Sequence, residues 1–223
     1  LSVLIVSMEI LAPVISIIIV IYSSILHEIA HGYVAYRLGD PTAKLRGRLT
    51  LNPLKHIDLY MSILLPLLLY ISTAGRFIFG GAKPVPVDPF NLRDGRKDFA
   101  LVALVGPLTN FVLAIIAALL LHMFYRGIPF DQIISGDLIG FCLASIVQWN
   151  LILAIFNLLP IPPLDGSNVF ALLLPSRQAA MYQSLGAMGM LLLFVLLLFP
   201  FGGFSLMDLV YNLVTFSLSL LGF

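Results

Sequence analysis

The stretch "LHEIAHGYVAYRLGD", residues 26–40, decides how this chain is read, because it closes a run of about two dozen mostly apolar residues with two histidines and a glutamate. The run before it is long enough to enter a bilayer, where a span takes about 20 apolar residues. A carboxylate at the middle of such a span costs about 2.5–3.5 kcal/mol even on the lenient insertion scale, so ionisable clusters at membrane depth mark function by default. His27 and His31 stand four apart and share a helix face, with Glu28 beside His27. H-E-x-x-H on a helix is the pattern in which both imidazoles bind zinc and the Glu acts as general base. The bland alternative is a polar face turned into a helix bundle, with the histidines hydrogen-bonded to neighbours. His27 precedes Arg37 by ten residues, which puts it about 15 Å inside the basic boundary at 1.5 Å per residue.

Outward from that stretch, the whole composition is that of an integral membrane protein. Of 223 residues, 60% are hydrophobic and 10% charged, and the mean hydropathy is +1.05. Apolar runs recur at about 10–26, 98–121, 138–159, 184–199 and 204–223, and a shorter one, 57–74, is interrupted by Pro66. Residues 1–9 hold no Lys or Arg, so the first run is not expected to be a cleaved signal peptide. A single cysteine, Cys142, excludes a disulfide framework and a thiolate metal cluster. A net charge of +1 points away from nucleic acid as a partner. No repeats, low-complexity tracts or appended soluble domain are seen.

Basic residues near spans mark the cytoplasmic side. Residues 37–56 carry Arg37, Lys44, Arg46, Arg48 and Lys55; residues 75–98 carry Arg76, Lys83, Arg93, Arg96 and Lys97; Arg177 follows later, and Arg126 stands alone between two spans. If the first two segments share a side, eleven of the twelve basic residues are cytoplasmic, the active site lies toward the cytoplasm, and the N-terminus is outside in a multi-pass protein of the cell membrane. Residues 57–74 then cannot cross. They are expected to dip in and return through "GRFIFGGAKPVPVD", residues 75–88, whose Gly and Pro favour extended backbone. Such backbone is tolerated at membrane depth only when buried in protein or lining a wet cavity. The rival, a plain sixth span, would split the two basic loops across the membrane.

A catalytic zinc usually has three protein ligands and a water, and His122 lies at the far end of its span. "NLLPIPPLDG", residues 157–166, offers Asp165, the only acidic residue between Asp137 and Asp208. Pro160, Pro162 and Pro163 must break the helix just before it, and Arg177, twelve residues on, gives it a depth like that of His27. An Asp-Gly turn residue is the alternative.

These residues resemble a known family. His27-Glu28-Ile29-Ala30-His31, Gly106-Pro107-Leu108-Thr109-Asn110 and the N-x-x-P-x-P-x-L-D-G of residues 157–166 look like the motifs of the site-2 proteases, intramembrane zinc metalloproteases. The resemblance covers about residues 10–175. It is closest to compact prokaryotic members without PDZ or CBS domains, which share stretches like "GRLTLNPLKHID", residues 47–58, and "AKPVPVDPFNLR", residues 82–93. Two departures bear on loop shape: Leu59-Tyr60-Met61 stands where Pro and Gly usually follow H-I-D, and Gly81 where an aromatic is frequent.

The resemblance implies an all-α polytopic membrane protein forming one protease domain over 1–223. Its three-helix catalytic core would take in about 10–38, 98–122 and 138–174, with a re-entrant, extended segment at about 57–90 and accessory spans at 184–199 and 204–223. It implies one Zn2+ per chain on His27, His31 and Asp165, Glu28 as base, and regulated intramembrane proteolysis of transmembrane proteins, here expected to be single-span substrates in the lipid bilayer. Substrate helices must be unwound before cleavage. Lys83, Pro84 and Val85, with the broken backbone around Pro160 and Pro162, are expected to pair with the unwound segment by strand addition. Asn157 resembles the family's substrate-contacting Asn; Asn110 either joins it or pins two helices. His56 is a loop histidine near the membrane surface, a gate, or a transient metal contact. Gly106 and Pro107 are read as permitting close helix approach and a kink, and the two C-terminal spans as scaffold or substrate gate. A divalent-metal transporter would want a through-path and repeated halves, a di-iron oxidase more than four histidines, and an inactive homologue would most simply lack Glu28.

Overall fold

A computed structural model describes residues 2–73, 80–200, 202–203 and 205–223, without the side chains of 2–10 and Ala187. In chain order come α1 (Ser2–Arg37), α2 (Thr42–Leu45), a 3-10 turn (Pro53–Lys55), a π-helical stretch (Leu59–Leu64) running into α3 (Leu65–Ser72), a second 3-10 turn (Pro89–Asn91), α4 (Gly95–Phe124), α5 (Phe130–Gly136), α6 (Leu138–Asn157), α7 (Asp165–Ala171), α8 (Ser176–Gln183), α9 (Gly186–Leu198) and α10 (Leu206–Leu220). No strand occurs among the described residues. The all-α polytopic expectation holds.

Among the described residues, three helices are long and apolar enough to cross a membrane: Leu11–Arg37, Gly95–Phe124 and Leu138–Asn157. At 1.5 Å per residue even the shortest, of 20 residues, covers the hydrocarbon thickness of about 30 Å. The two C-terminal runs are shorter than expected. Helix α9 has 13 residues and α10 has 15, and α9 reaches span length only together with α8, across a 65° bend. The third core segment, 138–174, is broken before Asp165, as its prolines require. Pro160, Pro162 and Pro163 remove three amide donors within four residues, so α6 stops at Asn157 and Asp165 opens a separate seven-residue helix.

The chain divides into two compact units, one of residues 21–106 and one of residues 1–20 with 107–223. In the 21–106 unit, α1 ends because Gly39 takes φ +118, a region that disfavours a side chain, while Asp40 N–H closes the end on Ala35 O at 2.9 Å. Ala35, Leu92 and Val102 form a small buried core with Val34, Leu38, Val87 and Phe99 packed on it. The 59–72 excursion returns to its start: Gly81 N–H donates to Met61 O at 3.0 Å, and Ser62 Oγ donates to Gly81 O at 2.7 Å. The expected re-entrant segment, about 57–90, includes residues 74–79, which lie outside the described residues. Pro66 lies where the π-helical stretch passes into α3; it has no N–H to offer the preceding turn, and Met61 O accepts the Gly81 N–H instead.

In the other unit, α5 and α10 pack on α6, α9 on α10 and α7 on α8. Asp137 caps α6 by accepting Gly140 N–H at 2.9 Å. Fully buried Asn110 donates from Nδ2 to Asn150 Oδ1 at 2.8 Å, pinning α4 to α6. His122, at the end of α4, bonds Leu221 O and stacks on Phe223.

Candidate metal centre

The helical spacing of His27 and His31 carries their rings to one face of α1 and brings their Nε2 atoms 2.9 Å apart. The rings meet edge to face, with centroids 4.5 Å apart. Both are buried. His31 Nδ1 sits 2.6 Å from Val102 O. A carbonyl only accepts, so Nδ1 carries the proton and Nε2 presents its lone pair, the tautomer of a metal-binding imidazole. Two Nε2 atoms this close on one helix face could both serve as donors to a single ion. Gly106 leaves the room: a Cβ there would overlap Nε2 of both histidines. The Gly of the G-P-L-T-N motif thus makes space for the imidazoles themselves.

Glu28, on the same turn, is half-buried. Its Oε2 accepts the Val85 N–H at 2.6 Å. Val85 belongs to a strap, residues 83–88, in which Lys83, Val85 and Asp88 each precede a proline and are therefore pushed to extended backbone. Lys83 N–H donates to His56 O at 2.7 Å and Asp88 N–H to Asp40 Oδ2 at 2.7 Å. Arg48 Nη2 donates to Lys83 O at 2.7 Å and Pro84 O at 3.2 Å. The strap lies directly on α1 because Gly32 has no side chain; a Cβ there would come within 2.7 Å of Val85 Cγ1.

Asp165, in the other unit, is half-buried and opens α7. The loop before it folds on itself, Ile161 N–H to Leu159 O at 2.8 Å and Leu164 N–H to Ile161 O at 2.9 Å. Tyr182 OH donates to Pro160 O at 2.7 Å, satisfying a carbonyl that the prolines leave without a helical partner. The peptide bond between Pro162 and Pro163 is cis. By donor type, His27 and His31 in one unit and Asp165 in the other are residues of the kinds that hold a metal ion.

Other expected site residues fall as follows. Asn157 ends α6, its Nδ2 bonded to Leu153 O at 2.9 Å. Pro160 is exposed and Pro162 buried; Lys83 and Pro84 are exposed and Val85 buried. His56 is 2% exposed, with Nε2 2.9 Å from Thr50 O and Nδ1 without a partner among the described residues. Strand addition to the strap is constrained, since Pro84 and Pro86 have no N–H and those of Lys83, Val85 and Asp88 are already engaged. Three residues went unnoticed at the sequence level. Asn150 was visible as a polar residue within an apolar run, whereas Asp40 and Arg48 looked like ordinary loop charges.

Outside the spanning helices, Asp40 is fully buried. Burial pushes its carboxyl up, but hydrogen bonds from Thr42 Oγ1, Asp88 N–H, Asn91 Nδ2 and Thr42 N–H outweigh that and hold it below the usual carboxylate range.

Peptidase family M50 matches residues 15–137 and 131–200. Among curated proteins, the chain is 39% identical to one named "Putative zinc metalloprotease YwhC" from Bacillus subtilis, over 85% of this chain and 83% of that one. Two further relatives carry the same form of name. Rip2 of Mycolicibacterium smegmatis is 33% identical over 86% of this chain and 70% of its own length, and MJ0611 of Methanocaldococcus jannaschii is 32% identical over 72% and 71%. No solved structure matches.

Proposed function

The chain belongs to peptidase family M50, the site-2 protease family, and from that premise we propose that this multi-pass metallopeptidase hydrolyses peptide bonds of single-span transmembrane proteins within or near the bilayer. The observation that carries this reading is the pair of buried Nε2 atoms 2.9 Å apart, one residue from a carboxylate, on a helix long enough to span. Buried imidazoles with facing lone pairs repel unless a cation or proton lies between them. The donor set of two imidazoles and the Asp165 carboxylate suits zinc, one ion per chain. When bound, zinc polarises a carbonyl and lowers the pKa of water to about 7.

The chain's own residues do the rest. Val102 O holds the His31 ring and raises its basicity as a ligand. Glu28 takes a proton from the attacking water and returns it to the leaving amine. Because the strap has so few amide donors left, its Val85, Pro86 and Val87 carbonyls accept from the N–H groups of an unwound substrate. Asn157 and the Pro160 and Pro162 backbone complete the cradle. The scissile carbonyl stays free for polarisation. Asn110, engaged with Asn150, is assigned to holding α4 on α6. His56 acts as a gate through the strap whose Lys83 N–H it holds. The basic loops support an orientation in the cell membrane with the N-terminus outside and the site toward the cytoplasm.

The test is cleavage of a panel of single-span substrates by purified protein, with the new termini located by mass spectrometry. Wild type cleaves inside or beside the span and Glu28→Gln does not. Cleavage only in soluble segments, or equal cleavage by both proteins, overturns the reading.

A further inference from the structure

Arg48 is a buried cation, 8% exposed. Among the described residues its hydrogen-bond partners are two main-chain oxygens, Lys83 O and Pro84 O, both reached from Nη2, and its Nε has none. No carboxylate pairs with it among the described residues. Burying an uncompensated guanidinium costs several kcal/mol, and joining two loops would need only a neutral amide donor. The charge has another use, visible in what the second carbonyl is bonded to.

Pro84 C=O and Val85 N–H are the two edges of a single planar, trans peptide unit, and they point in opposite directions. Arg48 donates to the oxygen edge and Glu28 accepts from the hydrogen edge. A cation at the carbonyl polarises the peptide and strengthens its N–H as a donor, so the guanidinium acts on the carboxylate through one amide. The unit has little freedom to swing away. Pro84 has a fixed φ, and Lys83 and Val85 each precede a proline and are confined to extended backbone. Val85 is also seated on Gly32, one residue past His31.

We propose that Arg48 is a positioning residue for the hydrolytic reaction: it and Glu28 grip opposite edges of the Pro84–Val85 peptide plane, and this grip sets where the base's carboxylate stands. The proposal rests on the assignment of Glu28 as base. It asks nothing of Arg48 in binding metal or substrate.

The experiment uses the full chain in detergent micelles. Hydrogen exchange at the Val85 amide is followed by NMR of 15N-valine-labelled protein, with the helical Val102 amide as internal reference. Steady-state cleavage and zinc content are measured on the same samples. Arg48→Gln speeds Val85 exchange about tenfold or more and lowers kcat by a similar factor, with KM, zinc content and Val102 exchange within about twofold of wild type. Arg48→Lys, which keeps the charge and can reach one carbonyl, recovers part of kcat. A kcat for Arg48→Gln within about twofold of wild type overturns the proposal. So does a fall in zinc content parallel to that in kcat, which would make Arg48 merely structural. If Arg48→Gln does not fold, Glu28→Ala decides: removing the carboxylate must speed exchange at Val85 and leave Val102 unchanged, and an unaltered Val85 amide refutes the contact. Should wild type cleave no substrate, the protease reading falls by itself, and the exchange comparison still judges the Arg48–peptide–Glu28 arrangement.

Discussion

Gly106 shows how little space the histidine pair leaves. A methyl group at that position would overlap both Nε2 atoms, so Gly106→Ala is expected to push the imidazoles apart and lower zinc affinity at least about tenfold, the size of loss seen when residues orienting a ligand are changed. Competition with a chromogenic chelator measures this directly. Asn110 belongs to the same scale with a different outcome. Removing its amide leaves buried Asn150 short of a donor, a loss of about 1 kcal/mol. Asn110→Ala should therefore lower the unfolding midpoint in detergent while cleavage per folded molecule changes less than about twofold. At this scale the H-E-x-x-H histidines and Asp165 were legible because spacing and an ionisable group in an apolar run are local properties. Arg48 and Asp40 were not, because what distinguishes them is burial against partners some 35 to 50 positions away.

At the scale of elements, the strap and the loop that follows α1 work as one piece, clamped at its far end by Asp40. The Asp40 carboxyl titrates below its unfolded value of about 3.9. A depressed folded pKa contributes stability that is complete above that unfolded value and is lost as pH falls through the folded one. Thermal unfolding of wild type should thus drop as pH is lowered from about 5 to 3. Asp40→Asn should be less stable at pH 7 and show a smaller drop; an equal drop would remove Asp40 from the account. Gly32→Ala tests the strap's seat: its Cβ would meet Val85, Leu49 and the unyielding Cβ of Ala43 at 2.7–2.9 Å. The expected result is a lower kcat, read by the same cleavage assay. The proline run foretold a break before Asp165, as the separate α6 and α7 show. It could not foretell that Tyr182 would complete the loop, since a tyrosine's partner is set by packing and not by its neighbours in sequence.

At the scale of the whole molecule, the apolar runs announced a polytopic membrane protein, and three of them became helices of spanning length. The last two runs, 184–199 and 204–223, hold helices of 13 and 15 residues, each below the length of a crossing on its own. The orientation proposed from charge can be checked by labelling. With Cys142 replaced by serine, a cysteine at Lys55 and one at Arg96 should react with a membrane-impermeant maleimide from the same side of sealed vesicles, and one at Arg126 from the other. Labelling of positions 55 and 96 from opposite sides would make residues 57–74 a true crossing.

The central claim is that His27, His31 and Asp165 together hold one zinc beside Glu28, and metal analysis of purified protein after zinc reconstitution and desalting tests it most directly. The account predicts about one zinc per chain for wild type and for Glu28→Gln, and little for His31→Ala or Asp165→Asn at equal folding. Zinc that stays in the His31→Ala and Asp165→Asn proteins, or that never binds wild type, would contradict it.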